Sequence, residues 1–166
     1  MDITQGKYRP IELLRYAGLF LWFCASLPLF LMHWIYPEPL ALELYIGWFM
    51  LHGLFGLMYW NLVQYLPEHT AISHRLLYLS VLTISALGIS AVSQSPMGGV
   101  MLVIVAVVLP WMLPVAPAAG WLITQNVLLA VTLSRIPEVS LNYASIEAAL
   151  ILGISIFAFV SSMVVG

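Results

Sequence analysis

Charge is what this 166-residue chain lacks most: 7% of its residues are Asp, Glu, Lys or Arg, against 63% that are hydrophobic. A soluble domain carries about 25% charged residues, so a globule of this composition has too little polar surface to stay in water. Five Lys and Arg against seven Asp and Glu leave a formal charge of −2, which excludes the basic footprint of a nucleic-acid binder. A mean hydropathy of +1.03 excludes disorder. Cys24 has no second cysteine to pair with, and in its apolar run a thiol behaves as a small hydrophobe. Catalytic signatures are missing as well: there is no Gly-x-Ser-x-Gly elbow, no His-Glu-x-x-His pair, no Walker-type loop and no paired cysteine set. Serines scattered without a base at the same depth make no membrane protease. No catalytic residue, metal or cofactor is therefore assigned.

Apolar runs are what the chain has in abundance. A spanning helix needs roughly 20 mostly apolar residues, since each rises about 1.5 Å and the hydrocarbon layer is about 30 Å thick. Six segments meet or approach that length: 16–35, 44–66, 76–92, 100–116, 118–133 and 143–165. The expected fold is thus an all-α polytopic bundle with very short loops, forming one unit over 1–166. The run from Val100 to Leu133 would be about 50 Å long as one helix, too long for a single tilted span. Pro110, Pro114 and Pro117 followed by Ala118-Ala119-Gly120 divide it into two short spans, whereas a five-span reading leaves it whole. No fixed-period repeat and no inverted pair of halves is visible. The amino-terminal apolar run continues past Ala25-Ser26 to Ile35, too long for a cleaved signal, and Trp22-Phe23 before Cys24 do not suit a lipid attachment site.

Basic residues beside short spans stay on the cytoplasmic side. Lys7, Arg9 and Arg15 precede the first span, and with six spans Arg75 joins them while Arg135 falls outside. Both termini are expected in the cytoplasm, in a bacterial inner membrane. Trp34 and Tyr36 at one level, and Trp60 and Tyr65 at the other, read as interfacial belt residues.

The second span has the most informative face. At 100° per residue, Tyr45, Trp48, Phe49, His52, Phe55, Gly56 and Tyr59 share one side, and Gly53 beside them lets a helix or an apolar ligand approach the backbone. His52 lies near the midplane, where an ionisable group is a functional-site candidate by default. Three readings stand for it: packing glue between helices, a signal or ligand pocket, and a haem ligand. The last lacks a partner, because His33, His69 and His74 all sit at other depths. Glu147 is the one carboxylate that enters a span, on a face with Ala144, Ala148, Ser155, Ala158 and Ser162 that suits close helix packing. It is read either as a proton or ion sensor facing protein or as a side chain reaching the outer headgroups. Gln125 and Asn126 need hydrogen-bond partners within the bundle.

The amino-terminal stretch Tyr8-Arg9-Pro10-Ile11-Glu12-Leu13-Leu14-Arg15-Tyr16, followed by a Trp-containing span ending Leu27-Pro28-Leu29, resembles the start of bacterial sensor histidine kinases of the DesK and NarL type. In wording the resemblance covers about the first 30 residues; in architecture it covers the chain. It implies a compact bundle of five or six spans ahead of a cytoplasmic coiled coil, a phosphoacceptor region and an ATP-binding domain. The acidic-flanked phosphoacceptor His and the Asn-rich and Gly-rich ATP motifs do not occur in these 166 residues, and His69 and His74 inherit no phosphoacceptor role.

The expectation is a membrane-embedded sensing domain of a two-component kinase, which detects a bilayer, apolar or proton stimulus through His52, Glu147, Tyr45, Trp48 and Tyr59. Kinase activity itself would need a catalytic part after Gly166. Pro28, Pro110 and Pro114 are the candidate hinges. Expected partners are the lipid bilayer, a second copy of the chain, and a cytoplasmic kinase module or response regulator. The alternative is a small transporter or an integral subunit of a larger complex.

Overall fold

A computed structural model describes residues 10–35, 40–65, 70–137 and 139–165. Six helices follow one another: α1 (Pro10–Ile35), α2 (Leu42–Tyr65), α3 (Ile72–Ser93), α4 (Met97–Met112), α5 (Val115–Ser134) and α6 (Leu141–Val165). Among the described residues there is no strand, as expected of an all-α bundle. Helices α2, α3, α5 and α6 are long and apolar enough to cross a bilayer; the apolar part of α1, Tyr16–Leu31, and α4 are shorter. Large side chains such as Phe20, Trp34, Phe157 and Val164 point outward. In water that surface would aggregate, whereas lipid tails solvate it. Tyr36, Glu38, Pro67, Glu68, His69, Glu138, Lys7 and Arg9 lie outside the described residues, as do the side chains of Arg15, His33 and Tyr65.

All six helices begin two to six residues before the expected spans, and one division falls elsewhere. Helix α1 begins at Pro10, ahead of its apolar part, which starts at Tyr16 as expected of the span; proline is well suited to a first helical position whose N–H would have no partner. Helix α3 begins at Ile72 rather than residue 76, and so carries Arg75 in its first turn. The hairpin in the proline-rich run falls at Leu113-Pro114, not at residues 116–118. Leu113 is extended (φ −132°, ψ 152°), the conformation that a following proline imposes. Pro117 then lies in the first turn of α5, where a missing N–H breaks no bond. Of the candidate hinges, Pro28 and Pro110 sit inside continuous helices, and Pro114 is the N-cap of α5.

Successive helices run antiparallel. Tyr59 of α2 packs on Gly18 of α1 and Leu51 of α2 on Gly88 of α3, while Gln125 of α5 bonds the Leu102 carbonyl of α4. At one end of the bundle, the Arg75 Nη1–H of α3 donates to the Met112 carbonyl at 3.3 Å, and Trp111 of α4 donates to Ser162 of α6 at 2.7 Å. The start of α1 and the end of α6 thus lie at the same end of the bundle. Helix α4 is the central element, packed on α1, α3, α5 and α6. None of its residues is exposed: Leu102, Val105, Ala106 and Leu109 are fully enclosed, and Val100, Val103, Val107 and Pro110 along one side are half-buried. Its 16 residues span only about 24 Å. A helix end at that depth needs a partner for its last carbonyls, and the Arg75 guanidinium supplies one. At its other end Gly98 lies against the Ala86 carbonyl oxygen and the Ser90 hydroxyl of α3, leaving no room for a β-carbon.

Candidate functional site

Helix α2 places its aromatic strip as the 100° period requires, with one exception. Trp48, His52, Phe55, Gly56 and Tyr59 are buried, and Tyr45 is half-buried. Phe49, expected on the same face, is exposed. It lies about 60° around the helix from His52, at the edge of the strip where α1 no longer covers it.

What covers the strip is α1, and the contact is specific. The Trp22 indole stacks on the His52 ring, with centroids 5.0 Å apart and planes 15° from parallel. Trp22 Nε1–H donates to the His52 carbonyl at 2.9 Å, and His52 Nε2 bonds the Trp22 carbonyl at 3.2 Å. A carbonyl only accepts, so the His52 proton is on Nε2. Nδ1 is therefore an acceptor, and it is buried with no hydrogen-bond partner. One turn earlier, Trp48 Nε1–H is a buried donor without a partner. Toward the far end of α1, the Tyr45 hydroxyl donates to the Leu29 carbonyl at 3.2 Å. Tyr59, stacked with Phe55 at 6.5 Å, packs in the space a side chain on Gly18 would take, while the Trp22 indole occupies the corresponding space at Gly56. Gly53, where the sequence suggests close approach of a helix or an apolar ligand, has no helix against it and open space around it.

That space belongs to a cleft of about 360 Å³ between α1 and α2, whose walls include Trp22, Phe23, Phe30, Phe49, His52 and Gly53. It lies at mid-depth, since His52 is about 15 Å along α2 from Leu42. Sequence reasoning missed Trp22 as the partner of His52. A signal was present: counting thirteen residues back from Ile35 and thirteen forward from Leu42 brings Trp22 opposite Phe55, next to Gly56.

Glu147 is not part of this site. It is half-buried near the start of α6, hydrogen-bonded by the exposed Tyr143 hydroxyl one turn before it. Ala144, Ala148, Ser155 and Ser162 are buried toward the bundle, with Glu147 at the edge of their stripe. Helix α6 packs on α4 and α5, whereas α2 packs on α1 and α3. Gln125 and Asn126 are buried in α5; their amide N–H groups donate to the Leu102 and Leu122 carbonyls at 3.1 and 2.8 Å, and both amide oxygens are unpaired. Gln125 also lines a second cleft, of about 300 Å³, with Ser80, Thr83, Trp121 and Thr124. Among the described residues no three His, Cys, Asp or Glu side chains converge as metal ligands would.

Compared with known proteins, the chain matches no family model, no curated protein and no solved structure.

Proposed function

We propose that this bundle is the membrane-embedded sensing region of a two-component sensor histidine kinase, and that the stimulus is read at the junction of α1 and α2. The observation that carries this reading is the reciprocal Trp22–His52 pair at mid-depth, beside a cleft whose phenylalanines Phe23, Phe30 and Phe49 are exposed. Helix α1 packs chiefly on α2 and α4, so a molecule or a change in lipid thickness that separates Trp22 from His52 tilts α1 against the rest of the bundle. That supplies the two-state element that signalling requires. The start of α1 and the end of α6 share one end of the molecule, so a relative displacement of α1 is delivered where both chain ends leave the membrane. The kinase identity of the output rests on the amino-terminal resemblance, and the Glu147 position makes it an accessory to this reading rather than its centre.

The test is the chain in proteoliposomes with spin labels at Leu13 and Met163. Distance distributions measured in bilayers of short and long acyl chains are expected to shift for the wild type and to lose that shift in Trp22→Ala. Distances that stay fixed across all lipids and added apolar compounds would rule the sensing reading out. A small transporter is favoured instead by one observation, the hydroxyl-rich α3–α5 cleft around Gln125. It requires substrate flux into liposomes that contain this chain alone.

A further inference from the structure

Two arginine side chains are described, and they stand at opposite ends of the bundle in opposite states. Arg75, in the first turn of α3, spends its guanidinium on the Thr70 and Met112 carbonyls at 3.1 and 3.3 Å. Arg135, just past the last turn of α5, is exposed, and its guanidinium has no hydrogen-bond or ionic partner among the described residues. Arginine keeps its charge in proteins, so this is a cation without a counter-ion. Helix α5 sets out from the Leu113-Pro114 hairpin beside Arg75 and runs 20 residues, about 30 Å. Arg135 therefore emerges where the far side of a hydrocarbon layer gives way to headgroups.

Helix α3 runs the same way, and its end meets the end of α5 around a cleft of about 310 Å³. The cleft has an apolar wall, made by Ala91 with Val131, Ile136 and Pro137, and Val131 is 48% exposed. It also has a polar rim, Arg135 and Gln94, in which Arg135 is the one charged group among the described lining residues. Thr132, the remaining polar residue, already donates its hydroxyl proton to the Leu128 carbonyl at 2.8 Å. The donors left for a ligand are thus the Arg135 guanidinium and the Gln94 amide, and both side chains are exposed, open to an incoming group. Gln94 forms the left-handed C-cap of α3 (φ 51°, ψ 38°). Glycine adopts that backbone more easily, so glutamine keeps a side chain at the rim with some strain.

A planar guanidinium pairs with two oxygens of one phosphate group. Donors and a single positive charge beside an apolar wall at the headgroup level match a phosphodiester that carries hydrocarbon chains. A free phosphate would leave Ala91, Val131 and Ile136 without a partner. We propose that this cleft is a phospholipid site, in which the phosphodiester sits on Arg135 and Gln94 and the glycerol and first methylenes lie against Ala91, Val131 and Ile136. It is built on α3 and α5, away from the Trp22–His52 pair, and stands whether or not the bundle senses.

The experiment uses the full chain with ¹³C-labelled arginine in vesicles of dioleoyl phosphatidylglycerol. Dephasing of the Arg135 Cζ signal by ³¹P reads the guanidinium–phosphate contact, and the signal missing from Arg135→Gln assigns it. Affinity is read by titrating the chain in a phosphate-free maltoside detergent with dioleoyl phosphatidylglycerol, dioleoyl phosphatidylcholine and dioleoylglycerol, which has the chains and no phosphate. Clear dephasing is expected, with phosphatidylglycerol binding about tenfold more tightly than dioleoylglycerol, the usual size of a charge-assisted contact. Arg135→Gln is expected to remove most of that advantage, whereas Arg9→Gln, a cation outside the site, changes it less than twofold. Ala91→Trp fills the cleft and leaves the guanidinium in place; it is expected to lose at least half of the dephasing, which an arginine lying among bulk headgroups would keep. Arg135→Gln, an exposed change outside the helix, covers the case where the tryptophan variant fails to fold. Phosphatidylcholine binding as tightly as phosphatidylglycerol identifies the phosphodiester as the recognised group, and weaker binding identifies a net negative headgroup; both support the site. Absence of dephasing, undiminished dephasing in a folded Ala91→Trp, equal affinity for dioleoylglycerol, an equal loss in Arg9→Gln, or displacement of the lipid by millimolar inorganic phosphate would overturn the proposal.

Discussion

Helices α1 and α4 look alike as sequence and have opposite fates in the bundle. Both are strongly apolar, and both contain an internal proline. Yet α4 has no exposed residue and sets its Gly98 against the α3 backbone, whereas α1 lies at the periphery with Phe20, Phe23 and Phe30 turned outward. Lipid tails are as apolar as leucine, so hydrophobicity does not decide which helix is central. Steric fit does. The close approach of α4 to α3 across Gly98 and its two tryptophan- and serine-linked contacts with α6 give it tight neighbours, while α1 is tied down by aromatic stacking and side-chain bonds to carbonyls.

The contrast predicts graded damage. Gly98→Leu drives a side chain into the Ala86 carbonyl, a backbone atom that cannot yield, and is expected to cost about 3 kcal/mol in bicelle or detergent unfolding, with protection lost throughout the bundle. Gly56→Leu meets only the movable Trp22 indole, so about 1–2 kcal/mol is expected, with hydrogen exchange rising in α1 and not in α4. Equal cost and equal spread for the two variants would erase the distinction between centre and periphery. Arg75→Met removes the donor from the Met112 carbonyl and is expected to cost about 1.5 kcal/mol, seen first as exchange at the α4–α5 hairpin. His52→Phe keeps the stack on Trp22 and loses one interhelical bond, for which about 0.6 kcal/mol is the usual value in a membrane protein. Gly153→Ala, at a position with open space around it, is expected to stay within about 0.5 kcal/mol of wild type.

Much of this fold was legible in the residues. The six helices and their alternation follow from apolar run length, and the buried strip of α2 from the helical period. The hairpin was misplaced because three prolines in a short run all look like breakers. Pro117 is tolerated in a first turn, and Leu113-Pro114 makes the break because leucine there adopts the extended conformation. The His52 site was half legible. Its depth comes from counting residues, but its partner depends on which face of α1 meets α2. Phe49 shows the same limit, since the period groups it with His52 and the actual width of the covering helix leaves it exposed.

By itself, the sequence determined that this chain is made of apolar helices, four of them long enough to cross a bilayer, because a backbone in hydrocarbon must satisfy its own N–H and C=O groups. Tertiary structure alone decided that α4 sits in the middle, that Trp22 meets His52, and that Nδ1 rather than Nε2 is left as the unpaired nitrogen. Those outcomes turn on contacts of a few ångströms between helices, where small residues permit approach and carbonyl positions fix a proton, and no one-dimensional pattern encodes them.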